Sequence, residues 1–252
     1  MKRKTALIPL IIALSSCATS PMGRSQFIIV SDDKLAERAA EGFGTIKSKV
    51  PQVKDPATTQ YVMCVVKALI QSNQIPGRWE VRVFDTPKEV NAFAMPGGKI
   101  GVLSGILKEA NTPDKLAAVL GHEIAHVTSH HAAEQASISG IIGTALGLSG
   151  LSGLAAVGAS LGANLGVLMP FSRTHEAEAD KLGLIYMTRA GFNPHAAVSF
   201  WQAMAAKEKA PEFMALLSTH PGSQTRSQDL EAMIHTLSGI QPNPRPNCRA
   251  PL

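Results

Sequence analysis

Residues 111–135, NTPDKLAAVLGHEIAHVTSHHAAEQ, limit the fold more than any other stretch of the chain. Thr112 stands where an N-cap belongs, Pro113 suits the first turn, and Asp114 favours the positive end of a helix dipole. The run therefore reads as one helix. His122, Glu123 and His126 interrupt its apolar middle. On a helix, residues i and i+4 lie on one face a turn apart. The two imidazoles thus converge on one position, with Glu123 beside them.

This pattern, H-E-x-x-H, binds zinc. Zinc brings the pKa of a bound water towards neutrality and so makes a nucleophile available. Glu123 is placed to take the proton and to pass it to a leaving amine. Two more histidines follow. On a continuous helix His130 lies about 12 Å beyond His122 along the axis, at about 1.5 Å per residue. Zinc–nitrogen bonds of about 2.0 Å do not span that. His131 points off the face. Both read as a polar helix end near the negative pole of the dipole. The longer motif H-E-x-x-H-x-x-G-x-x-H needs glycine and histidine where this chain has Ser129 and Ala132. A third ligand must therefore come from elsewhere.

The stretch HEAEAD offers His175, Glu176, Glu178 and Asp180. Glu176 and Asp180 share a helix face, with Glu178 roughly opposite. A catalytic zinc commonly takes two histidines and a glutamate. Zinc-binding histidines usually give their other N–H to a carboxylate. One face thus supplies both needs: Glu176 to the zinc, Asp180 to a histidine.

The remaining sequence sets the frame. The net charge of +5 comes from 24 basic and 19 acidic residues, and Lys2, Arg3 and Lys4 are three of the former. The rest nearly balance and no basic stripe carries interleaved aromatics, so nucleic-acid binding is not expected. MKRK, an apolar run and then SSC read as an export signal over residues 1–16. LSSC also resembles a bacterial lipobox, which implies lipidation of Cys17; the alternative is an ordinary secretory leader. Residues 17–30 then suit a tether. Export makes a disulfide between Cys64 and Cys248 an even alternative to two free thiols.

Residues 31–50 and 55–73 read as helices, the second capped by Asp55 before Pro56. WEVRVFD alternates as a strand, and NAFAMPGGKIGVLSG reads as a hairpin turning at Pro96 to Gly98. Residues 135–172, uncharged up to Ser172 and glycine-rich, suit a buried or lid-like hairpin, or a contact with membrane. Residues 172–191 read as a helix ending near Gly191, and 241–252 as a proline-rich extended tail. Helices dominate and strands come early, so the class is α+β, with residues 31–240 as the main domain.

In order and spacing, NAFAMPGGKIGVLSG, GHEIAH, FSRTHEAEAD and THPGSQTR resemble the HtpX-like and CAAX-prenyl-protease-type zinc metallopeptidases, which are gluzincins. The similarity is greatest to their periplasmic LoiP-type lipoprotein branch, with BepA-type members more distant. It implies a mostly helical zincin fold with a small antiparallel sheet. It implies one Zn2+ on His122, His126 and Glu176, Glu123 as general base and Asp180 as a supporting carboxylate. Asn91, Ala92, Phe93 and Ala94 become an edge strand along which an extended substrate pairs. His220 becomes a fourth ligand at rest or an oxyanion stabiliser, and Arg226 anchors its loop. The implied function is an endopeptidase of the cell envelope, facing the periplasm and held at the outer membrane by lipid. It would cut misfolded or misassembled envelope polypeptides. The alternative is a chaperone-like factor serving outer-membrane assembly machinery, with the zinc mostly capped.

Overall fold

The computed structural model of the chain describes residues 17–148, 172–207, 210–220 and 225–251. The expected export signal and residues 149–171 of the expected hairpin lie outside these. The tether expected at 17–30 is instead a docked hairpin. Strands β1 (Cys17–Thr19) and β2 (Ser25–Phe27) pair antiparallel, with Gly23 turning at φ 82°. Buried Gln26 donates from Nε2 to the carbonyl of Ser129 at 2.6 Å. The backbone N–H groups of Ile29 and Val30 donate to Ser137 Oγ. These bonds are why the segment does not hang free.

Helices α1 (Asp32–Lys49) and α2 (Pro56–Ser72) follow as expected. The Asp55 carboxylate accepts from the N–H of Ala57 and Thr58 and so caps α2. The α2 stripe Tyr61, Val62, Val65, Val66 and Leu69 is buried, as its helical spacing predicts.

Strands β3 (Glu80–Phe84), β4 (Ala92–Met95) and β5 (Lys99–Leu103) form a sheet in the order β3-β5-β4. The β4–β5 hairpin is as expected: Ala94 lies opposite Ile100, and Gly97 and Gly98 turn at φ 75° and 72°. The α+β class holds, but the sheet is mixed rather than antiparallel. β3 runs parallel to β5, because β4 already takes one edge of β5 and this register sets Val81 beside Ile100 and Val83 beside Val102, all buried. β4 is left at the edge of that sheet.

A short α3 (Ile106–Glu109) leads to α4 (Pro113–Thr128), where Thr112 Oγ accepts from the N–H of Lys115. The single helix expected over 111–135 is broken. α4 stops at Thr128, His130 adopts a left-handed φ of 53°, and α5 (His131–Leu148) starts anew. Next come α6 (Arg173–Arg189), capped by Ser172 Oγ, then α7 (His195–Ala205), α8 (Met214–Thr219) and α9 (Arg226–His235). α4 is the hub of the fold, packed by α2, α6, α7 and β4. Leu116, Leu120, Ile124, Ala179, Leu184 and Met187 fill the core around it.

The tail has no regular secondary structure and is docked. Cys248 forms a disulfide with Cys64, which settles that alternative. Asn243 donates its N–H to the Arg189 carbonyl, and Arg245 pairs with Asp114 at 2.7 Å. Among the described residues, no helix is long and apolar enough to cross a membrane.

Candidate metal centre

Three elements carry the cluster. α4 presents His122, Glu123 and His126 from one buried face; α6 presents Glu176 from its first turn; and His220 follows the last residue of α8. One ligand atom from each of His122, His126, Glu176 and His220 lies within 4.8 Å of all the others. His122 Nε2 is 3.0 Å from His126 Nε2 and 3.2 Å from His220 Nδ1. Glu176 Oε2 is 3.4 Å from His122 Nε2, and its Oε1 is 3.3 Å from His126 Nε2 and 3.1 Å from His220 Nδ1.

The donor set fits zinc. A tetrahedral ion with bonds near 2.0–2.1 Å sets its ligand atoms about 3.3 Å apart. The observed separations bracket that spacing. Three buried imidazoles with nitrogens aimed at one point cannot all be satisfied by sharing protons, whereas lone pairs on one cation can. Glu176 Oε2 is moreover buried, with the Arg226 Nη1 ion pair at 3.3 Å but no hydrogen bond of good geometry among the described residues.

Each imidazole is also held from behind. His122 Nδ1 lies 2.9 Å from Asp180 Oδ1, and Arg226 Nη2 donates to the same oxygen at 2.6 Å. Asp180 stands beside His122, and Arg226, expected to anchor the His220 loop, contacts Asp180 and Glu176. Its guanidinium carbon lies 3.4 Å from the centroid of the Trp201 ring. Residues Pro221 to Gln224 of that loop lie outside the described residues.

Charge follows from this packing. Burial opposes a charge on His122, but Asp180 and Glu176 outweigh it and raise its pKa to about 9. Burial takes His126 the other way, well below its ordinary value. The Glu176 carboxyl overcomes burial through His122 and His126 and stays ionised. Glu123 goes up, because burial outweighs the pull of His220 and His122.

Glu123 Oε2 accepts from the N–H of Ala94 on β4 at 3.2 Å, and its Oε1 lies 3.2 Å from His220 Nε2. The expected edge strand therefore runs beside Glu123. Asn91 Oδ1 accepts from the N–H of Ala92 at 2.9 Å. Phe93 turns the other way, lying across Gly101 and beside Phe43 and Phe84. Cys17 is the first residue of β1.

The sequence reading missed a second layer. His131, read as pointing off the face, is fully buried and sets Nδ1 2.9 Å from His126 Nδ1. The break at His130 is the reason, since it turns α5 back towards the site. His131 Nε2 reaches Glu178 Oε2 at 3.1 Å, and His175 Nε2 reaches Glu134 Oε2 at 3.1 Å. The rings of His131 and His175 stack at 4.4 Å. His130 stays outside, 2.9 Å from Asp32.

A helical α+β fold whose H-E-x-x-H helix meets a glutamate from a second helix defines a zinc metallopeptidase. More narrowly, residues 56–234 match the model of Peptidase family M48, and the chain belongs to that family. It is 36% identical over 217 residues to the mitochondrial metalloendopeptidase OMA1 of Schizosaccharomyces pombe, across 84% of this chain and 64% of that one. It is 33% identical over 236 residues to the human mitochondrial metalloendopeptidase OMA1, across 84% and 43%. It is 31% identical over 206 residues to the beta-barrel assembly-enhancing protease of Yersinia pestis, across 73% and 40%. The chain thus spans less than two thirds of the length of each of these relatives.

Proposed function

We propose that this chain is a zinc endopeptidase of the bacterial cell envelope that hydrolyses peptide bonds in misfolded or misassembled envelope proteins. The observation that carries the reading is Glu123: a buried carboxylate between the four-residue ligand cluster and the edge strand β4. His122, His126 and Glu176 would hold the zinc, which when bound polarises the scissile carbonyl and acidifies water. Glu123 takes the proton of the attacking water and returns it to the leaving amine. An extended chain would pair along β4 by taking over the Ala94 N–H from Glu123, so binding would need no particular side-chain sequence. Asp180 with Arg226 holds His122 in the tautomer that points Nε2 inward.

The envelope assignment draws on the leader-like start, the lipobox-like LSSC and the disulfide, which suits an oxidising compartment. It also draws on similarity to proteins named beta-barrel assembly-enhancing proteases. We place the chain in the LoiP-type lipoprotein branch, held at the outer membrane through a lipid on Cys17.

One observation favours a second reading. His220 sits against both Glu123 and Glu176, where it blocks the approach to the base. A site capped in this way suits an assembly factor that works with outer-membrane assembly machinery and cuts rarely. Glu123→Gln protein captured from cells separates the two. A peptidase should retain envelope polypeptides in clear excess over wild type. Equal retention by both proteins would favour the assembly factor, and retention of cytoplasmic chains alone would contradict the envelope role.

A further inference from the structure

The two α4 histidines end in matching chains. From His122, the order is imidazole, carboxylate, arginine: His122 Nδ1 to Asp180, and Asp180 to Arg226. From His126 it is imidazole, imidazole, carboxylate, arginine. If Nε2 of His126 serves the metal, its Nδ1 carries the proton and donates to His131 Nδ1. The other nitrogen of His131, Nε2, then donates to Glu178 Oε2. That oxygen accepts from Arg24 Nε at 2.8 Å. The same guanidinium forks onto Glu134, with Nη1 to Oε1 at 2.8 Å and Nη2 to Oε2 at 2.6 Å.

Arg24 lies outside the helical body, in the turn of the β1–β2 hairpin. Its N–H and carbonyl both bond to Ser20 across that turn, so the hairpin fixes its position. The side-chain exposures of Glu134 and Glu178 are only 8% and 4%. Two buried carboxylates side by side repel, and each is strongly unfavourable if left without a cation. A planar fork satisfies both at once, which an ammonium group does not.

We infer that Arg24 is a positioning residue of the metal centre, closing the His126 arm through Glu178 and His131 as Arg226 closes the His122 arm. The hairpin next to the proposed lipid anchor is then part of the active centre's support and not a spacer. The inference rests on the zinc peptidase reading, because it assigns a role towards the metal.

The test compares full-length wild type with Arg24→Gln and Arg24→Lys. Zinc affinity is read by chelator competition, ligand geometry from the visible bands of the cobalt(II) form, and turnover on casein. For Arg24→Gln we expect zinc affinity to fall, by less than the roughly 10–100-fold typical of groups bonded directly to a metal ligand. We expect the cobalt bands to shift and kcat to fall with KM little changed. Arg24→Lys keeps the charge but not the fork, so it should fold readily and recover only part of the affinity. Arg245→Gln, which breaks an exposed pair with Asp114, is the control. Wild-type affinity and unshifted bands in Arg24→Gln would overturn the inference. Should that variant fail to fold, the same result in Arg24→Lys would overturn it. A wild-type protein that binds no zinc would instead overturn the peptidase reading itself.

Discussion

Gly121 and Gly183 meet where α4 crosses α6, and neither position has room for a side chain. A Cβ on Gly183 would lie 2.9 Å from the backbone nitrogen of His122, and one on Gly121 would lie 3.1 Å from the carbonyl oxygen of Gly183. This crossing lets His122, next to Gly121, and Glu176, two turns before Gly183, reach one ion. Gly183→Ala should therefore push the helices apart. Alanine is favoured over glycine in a helix by about 1 kcal/mol, against an overpacking cost of roughly 1–3 kcal/mol. A net loss of about 0–2 kcal/mol is expected, together with weaker zinc binding. Denaturant unfolding and chelator competition measure the two, and an unchanged midpoint with unchanged affinity would refute the crossing as the determinant.

His220→Ala should retain zinc, since His122, His126 and Glu176 remain. If His220 stabilises the oxyanion, turnover should fall by roughly 100-fold, the scale of one lost donor. A rise would assign His220 to capping. Wild-type turnover would leave it a loop residue only.

Glu134 predicts an acid transition. Burial acts to raise its pKa, but the Arg24 fork and Gln26 overcome this and hold it at about 2, below its ordinary value of 4.5. A folded-state pKa below the unfolded one stabilises the fold above the unfolded value. That contribution is lost as pH falls from about 4.5 through about 2. Metal-free wild type should therefore exceed Glu134→Gln in melting temperature near neutral pH, with the gap closing across that window. A gap independent of pH would contradict the ion pair.

The disulfide between Cys64 and Cys248 closes a loop of 184 residues and fixes the tail against α2. Cys248→Ser should lower stability by roughly 2–5 kcal/mol. Reduction of the wild type should give a similar loss, and no loss on reduction would show that the tail is held by Arg245 and Asn243 alone.

Much of the site was legible because helix periodicity is local. His122 and His126 at i and i+4, and Glu176 and Asp180 likewise, follow from 3.6 residues per turn, and the caps at Thr112 and Asp55 are one-residue signals. His131 was not legible. Its position depends on a left-handed His130, and nothing in Ser-His-His announces a helix break as Gly or Asn would. Arg24 was hidden for another reason: its partners lie 110 and 154 residues away, beyond any local pattern. The parallel β3–β5 pairing was missed because alternation reveals a strand but not its neighbour.

The central claim is that Glu123 moves the proton at a zinc held by its neighbours. Purified wild type and Glu123→Gln should contain equal zinc, about one per chain, by elemental analysis. Incubated with casein, the wild type should cut it, while the variant should lose activity by several orders of magnitude at unchanged fold and metal content. Undiminished cleavage by the zinc-loaded Glu123→Gln protein would contradict the account.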